Sequence, residues 1–94
     1  MAVLSDEELE RALSEDLPGW RREGSSITRT VKASSFPDGI ALVQRVAEQA
    51  EAMNHHPDID IRYTDLTFTL STHSEGGITS KDLELAGRID SLLG

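Results

Sequence analysis

The 94 residues carry 17 acidic against 9 basic side chains, a formal net charge of −8, and no cysteine. That field makes nucleic acid and anionic membranes poor partners, and the lack of thiols removes disulfides, thiolate metal sites and a cysteine nucleophile. A chain this short is expected to form one domain, residues 1–94, burying roughly 60–65% of its unfolded surface.

The first helix is expected to start at Ser5, because Ser5-x-x-Glu8 has the form of a capping box and Leu4 and Leu9 flank it as a hydrophobic staple. Leu9 and Leu13 continue as an apolar stripe, and Pro18-Gly19 ends the run. From Trp20 to Lys32 the period changes to two. Residues 20–23 and 27–32 read as strands joined by a turn at Gly24-Ser25-Ser26, with Ile27, Arg29 and Val31 on one face.

Residues 38 to 53 carry the strongest helical pattern, with Ile40, Val43, Val46 or Ala47, Ala50 and Met53 as the expected core stripe. Ser35 or Asp38 can cap its start, Asn54 suits its end, and Pro57 cannot extend it. Two strands follow: Ile59, Ile61 and Tyr63 alternate with charged residues, and Leu66, Phe68 and Leu70 alternate with hydroxyls. Thr64-Asp65 is the expected link between them. Gly76-Gly77 opens a loop, and Thr79-x-x-Asp82 caps a last helix with Leu85, Ile89, Leu92 and Leu93 toward the core. The order α-β-β-α-β-β-α predicts an α+β fold, a four-stranded antiparallel sheet with helices packed on one face.

All three histidines fall at the joins of this plan. His55 and His56 follow the central helix, and His73 stands where the fourth strand runs out. A tight second hairpin brings the start of the third strand and the end of the fourth to one edge, and with them the three imidazoles. If the helix persists to His55, Glu51 lies four residues earlier on the same face and can fix the imidazole tautomer. The bland readings are surface or capping histidines, a solvated Glu51, and an Asp82 that serves only its helix cap. Glu51, His55, His56 and His73 also supply enough nitrogen and oxygen donors for zinc, although neighbouring residues seldom ligate one ion together. No serine lies in a G-x-S-x-G elbow.

The run Glu51-x-x-x-His55-His56-Pro57, with Tyr63, His73 and Asp82 at their spacings, resembles the pterin-4a-carbinolamine dehydratase family. "RVAEQAEAMNHHP" and "LSTH" at 70–73 carry the same similarity, which runs over about residues 19 to 93. The resemblance implies dehydration of 4a-hydroxytetrahydrobiopterin to quinonoid dihydrobiopterin and water, without metal or organic cofactor, in a homodimer or homotetramer. It implies an active site of His55, His56 and His73 supported by Glu51 and Asp82. It also implies pterin contacts from His55, His56 and Pro57 and from Thr72, His73, Ser74 and Glu75, and Ser71 with Thr72 at the strand end is expected to hold the pyrimidinone edge. Relatives commonly carry a tryptophan soon after the proline, where this chain has Asp58-Ile59-Asp60.

Within that reading His55 and His73 form the proton-transfer pair and His56 positions the pterin, with Glu51 orienting His55 and Asp82 supporting His73. Imidazole titrates near neutrality and suits a reaction that needs one proton delivered and one removed. The rival reading is a non-catalytic pterin-binding or protein-assembly module of the same fold. The N-terminus lacks a secretory pattern and no apolar run reaches membrane-spanning length, so the expected location is the cytoplasm.

Overall fold

The computed structural model describes residues 2–93. Helix α1 spans Asp6–Glu15, strands β1 and β2 span Arg21–Glu23 and Ser26–Lys32, and helix α2 spans Phe36–Met53. Strands β3 and β4 span Asp58–Arg62 and Asp65–Leu70, and after a 3-10 turn at His73–Glu75 helix α3 spans Ser80–Leu93. The strands form one antiparallel sheet in the order β1-β2-β4-β3. The expected α+β architecture is therefore the observed one.

The start of α1 is built as its sequence dictates. Glu8 N–H donates to Ser5 Oγ at 3.1 Å, and Ser5 N–H donates to Glu8 Oε1 at 2.9 Å. The Ser5 amide, and then its hydroxyl, hold the Glu8 carboxyl below the usual carboxylate range. Leu9, on the inner side of this helix, is buried. Ser5→Ala should lower unfolding free energy by about 1 kcal/mol in urea titrations, the usual cost of a lost N-cap.

One face of the sheet is apolar and carries the helices. Ile27 pairs with Leu70, Val31 with Leu66, and Ile59 with Phe68, and this layer meets Leu42, Val46, Leu85 and Ile89 from α2 and α3. Arg29 lies on the same face because Asp90 of α3 receives it at 2.8 Å, on the oxygen that also accepts from Trp20 Nε1 at 2.9 Å. The other face is polar, with the Thr28–Thr69 and Thr30–Thr67 hydroxyl pairs across β2 and β4.

Three local expectations are corrected. The buried stripe of α2 is Gly39, Leu42, Val46 and Ala50, one residue out of phase at its start, and Ile40 is 42% exposed. Gly39 faces the sheet, where a Cβ would meet Ala33 and a Leu66 methyl at ordinary contact distances of 3.4 and 3.5 Å. The first turn is the two-residue Gly24-Ser25, with Gly24 at φ +60. The second is Tyr63-Thr64, because Arg62 pairs with Asp65 and the Thr64 carbonyl accepts from Ala33 N–H at 2.8 Å. Tyr63 thus leaves the strand and takes a positive φ of 55°.

Candidate active site

The site begins with how α2 ends. Asn54 adopts left-handed angles, φ 51 and ψ 44, which an asparagine tolerates well. Its N–H reaches the Glu51 carbonyl at 3.1 Å, and His55 N–H reaches the Ala50 carbonyl at 3.0 Å. These two bonds form a Schellman motif, which ends the helix and turns the chain sharply. His55 and His56 then lie in an extended lead into β3, where successive side chains point opposite ways. The His55 side chain turns inward and is only 10% exposed, whereas that of His56 is 57% exposed.

That turn exchanges the expected carboxylate partners. Because Asn54 takes His55 off the helix, Glu51 does not pair with it. Glu51 Oε2 instead lies 2.9 Å from His56 Nε2, an exposed contact of small energetic weight. His55 Nε2 lies 2.5 Å from Asp82 Oδ1, and Asp82 is fully buried. A carboxylate oxygen accepts, so Nε2 is the ring nitrogen that donates to Asp82, and Nδ1 has no partner among the described residues.

Asp82 also serves its helix, as the capping pattern required. Its Oδ2 accepts from Thr79 N–H at 2.9 Å, and Thr79 Oγ1 accepts from Lys81 N–H at 3.3 Å. The same Oδ2 accepts from the Thr72 hydroxyl at 2.8 Å. One buried carboxylate therefore joins the end of α2, the residue before His73 and the start of α3. The capping reading of Asp82 holds, and its imidazole partner is His55 and not His73.

His73 opens the 3-10 turn that Gly76 closes at φ +75, and it is exposed. Its carbonyl accepts from Gly76 N–H at 3.1 Å, while its side chain has no hydrogen-bond or ion-pair partner among the described residues. The register that pairs Asp58 with Thr69 brings the His55–Pro57 lead and the Ser71–His73 exit to one sheet edge. Ser71 Oγ bonds the Ser25 carbonyl at 2.7 Å, Thr72 turns its hydroxyl into the buried network, and Ser74 and Glu75 are exposed in the turn. Pro57 is half-buried beside His56.

Among the described residues, no three His, Cys, Asp or Glu side chains are grouped as metal ligands, since His55 and His56 face different carboxylates. A cleft of about 620 Å³ lies elsewhere, between β2, the first half of α2 and the end of α3, where Arg29, Arg45 and Leu92 contribute to its lining. The reading of the sequence missed one member of the site. Thr79 shows in the sequence only as a cap, and its pairing with Thr72 across the loop leaves no periodic signal.

The α+β domain, with helices on one sheet face, thus brings a carboxylate-held histidine, the exposed His56 and the His73 segment to one sheet edge. The model of the pterin 4 alpha carbinolamine dehydratase family matches residues 2–92, and the chain belongs to that family. It is 61% identical over 90 residues to a protein of Nocardia farcinica provisionally named pterin-4-alpha-carbinolamine dehydratase, covering 96% of this chain and 94% of that one. A protein of Mycobacteroides abscessus with the same provisional name is 57% identical over 94 residues, covering 100% of this chain and 99% of that one. The crystal structure of a transcriptional coactivator/pterin dehydratase from Brucella melitensis superposes with a TM-score of 0.93 at 32% identity, over 98% of this chain and 99% of that one.

Proposed function

We propose that this chain is a hydro-lyase that dehydrates 4a-hydroxytetrahydrobiopterin to quinonoid dihydrobiopterin and water, in the recycling of tetrahydrobiopterin. The observation that carries this reading is the His55–Asp82 contact, an imidazole fixed in one tautomer by a fully buried carboxylate. Elimination breaks the C4a–O bond, gives the departing hydroxyl a proton, and removes the proton of N5 as the C4a=N5 bond forms. Asp82 holds the hydrogen of His55 on Nε2, so Nδ1 is left to take the N5 proton as general base. His73, whose exposed side chain has no partner among the described residues, delivers the other proton and re-equilibrates with water. His56, steadied by Glu51, positions the pterin, together with Pro57 and the segment from Ser71 to Glu75.

The chemistry asked of these groups is modest. A positioned acid or base contributes roughly 10²–10⁴-fold, and two of them with orientation suffice for an elimination that is already easy in water. The test is spectrophotometric: synthetic carbinolamine with the purified protein, with and without excess chelator. Acceleration that survives chelation supports the reading, and a rate equal to that of the blank defeats it.

The family resemblance also implies a dimer or tetramer, and the surface offers a place for a second copy. Phe36, Ile40, Ile61 and Tyr63 are exposed apolar residues at the end where α2 begins and the β3–β4 hairpin turns. Such a grouping on a small domain is a docking signature. Ile40→Glu should shift the sedimentation of the protein from oligomer toward monomer.

The same patch could instead serve a different protein. A pterin dehydratase-like protein described as a RuBisCO assembly factor in the alpha-carboxysome shares the fold, with a TM-score of 0.69 at 24% identity. A protein that fails the carbinolamine assay yet sediments unchanged after Ile40→Glu would favour that assembly role. No helix among the described residues is long and apolar enough to cross a membrane, and we place the reaction in the cytoplasm.

A further inference from the structure

The buried hydroxyls behind Asp82 form an ordered chain whose hydrogens can be assigned. Thr72 Oγ1 lies 2.8 Å from Asp82 Oδ2 and 2.8 Å from Thr79 Oγ1. A hydroxyl has one hydrogen, and the carboxylate, which only accepts, takes the one on Thr72. The Thr79 hydroxyl must then donate to Thr72, while its own oxygen accepts from Lys81 N–H at 3.3 Å. Thr79 and Asp82 are fully buried and Thr72 nearly so. The chain runs from the amide of the exposed Lys81 through the buried Thr79 and Thr72 to Asp82 and His55.

We infer that Thr79 is a positioning residue for His55, acting through the Thr72 hydroxyl and the Asp82 carboxylate rather than only capping α3. Chains of this kind polarise each member, and each donor to Oδ2 fixes the carboxylate plane that Oδ1 presents to the imidazole. Outer-shell partners of this type orient a histidine that they never touch. The kinetic part of the inference rests on the dehydratase reading. The structural part does not.

The experiment compares the wild-type protein with Thr79→Val, Thr79→Ser, Thr72→Val and the double variant. The first readout is the proton resonance of His55 Nε2–H, followed by nitrogen-edited NMR. Thr79→Val should move or broaden this signal and speed its exchange with water at least about fivefold, the effect of one weakened buried hydrogen bond, while Thr79→Ser restores it. The second readout is kcat for carbinolamine dehydration, which should fall about three- to tenfold in Thr79→Val with KM within about twofold.

Because the inferred route runs through Thr72, the effect of Thr79→Val on both readouts should vanish in the Thr72→Val background. A helix cap alone would lower stability equally in both backgrounds and leave the His55 signal in place. Thr72→Val removes neither partner of the two cap bonds, and an unmoved His55 signal in it breaks the route through Thr72 even should Thr79→Val fail to fold. An unchanged His55 resonance in either valine variant, or independent effects in the double variant, would overturn the inference. An inactive wild-type protein that still shows the NMR coupling would sink the dehydratase reading and leave the inference standing.

Discussion

His55→Ala and His73→Ala should each slow carbinolamine dehydration at least about a hundredfold, because each removes a positioned proton carrier worth roughly 10²–10⁴. The two variants should differ sharply in stability. The His73 side chain is exposed and partnerless among the described residues, so its loss should change unfolding free energy by no more than about 0.5 kcal/mol. His55 is nearly buried against Asp82, and its removal takes one donor from a fully buried carboxylate. His55→Gln separates the two effects, since its amide can still donate to Oδ1 but cannot accept the substrate proton at neutral pH. It should recover part of the stability lost in His55→Ala and none of the rate. Full activity in any of these variants would remove that histidine from the mechanism.

The fold was legible because its elements announce themselves locally. The Ser5–Glu8 box, the alternation from Leu66 to Leu70 and the Asn54 stop each act within a few residues, and each forms as read. What did not show was set by contacts across the chain. The phase of α2 shows only in which residues meet the sheet, Gly39 and Leu42 rather than Ile40, and the second turn depends on Thr64 bonding Ala33.

The site divides along the same line. The clustering of His55, His56 and the His73 segment at one edge follows from hairpin geometry, and the strand register gives it. The pairing of imidazole with carboxylate could not be read from spacing. It turns on one left-handed residue, Asn54, which takes His55 away from Glu51 and toward Asp82, 27 positions later. The hydroxyl route from Thr79 to Thr72 was hidden for the same reason.

Asp82 is the residue whose replacement should do most damage, and the kind of replacement decides what is learned. Asp82→Ala leaves the Thr72 hydroxyl, the Thr79 N–H and the His55 ring without their acceptor in a region closed to water. The expected loss is about 3–5 kcal/mol, a large part of the stability of a domain this small. Asp82→Asn keeps the shape and one acceptor oxygen. If that oxygen stays with Thr72 and Thr79, the amide presents N–H to His55 and forces Nε2 to become the acceptor. The proton then sits on Nδ1, the nitrogen required to be free for the substrate. Asp82→Asn should therefore fold, with a melting temperature above that of the alanine variant, yet dehydrate roughly 10²–10⁴-fold more slowly than wild type. Nitrogen-15 shifts of the His55 ring report the tautomer directly. A reversed tautomer with wild-type activity would show that Nδ1 of His55 is not the base, and would pass that role to His56 or His73.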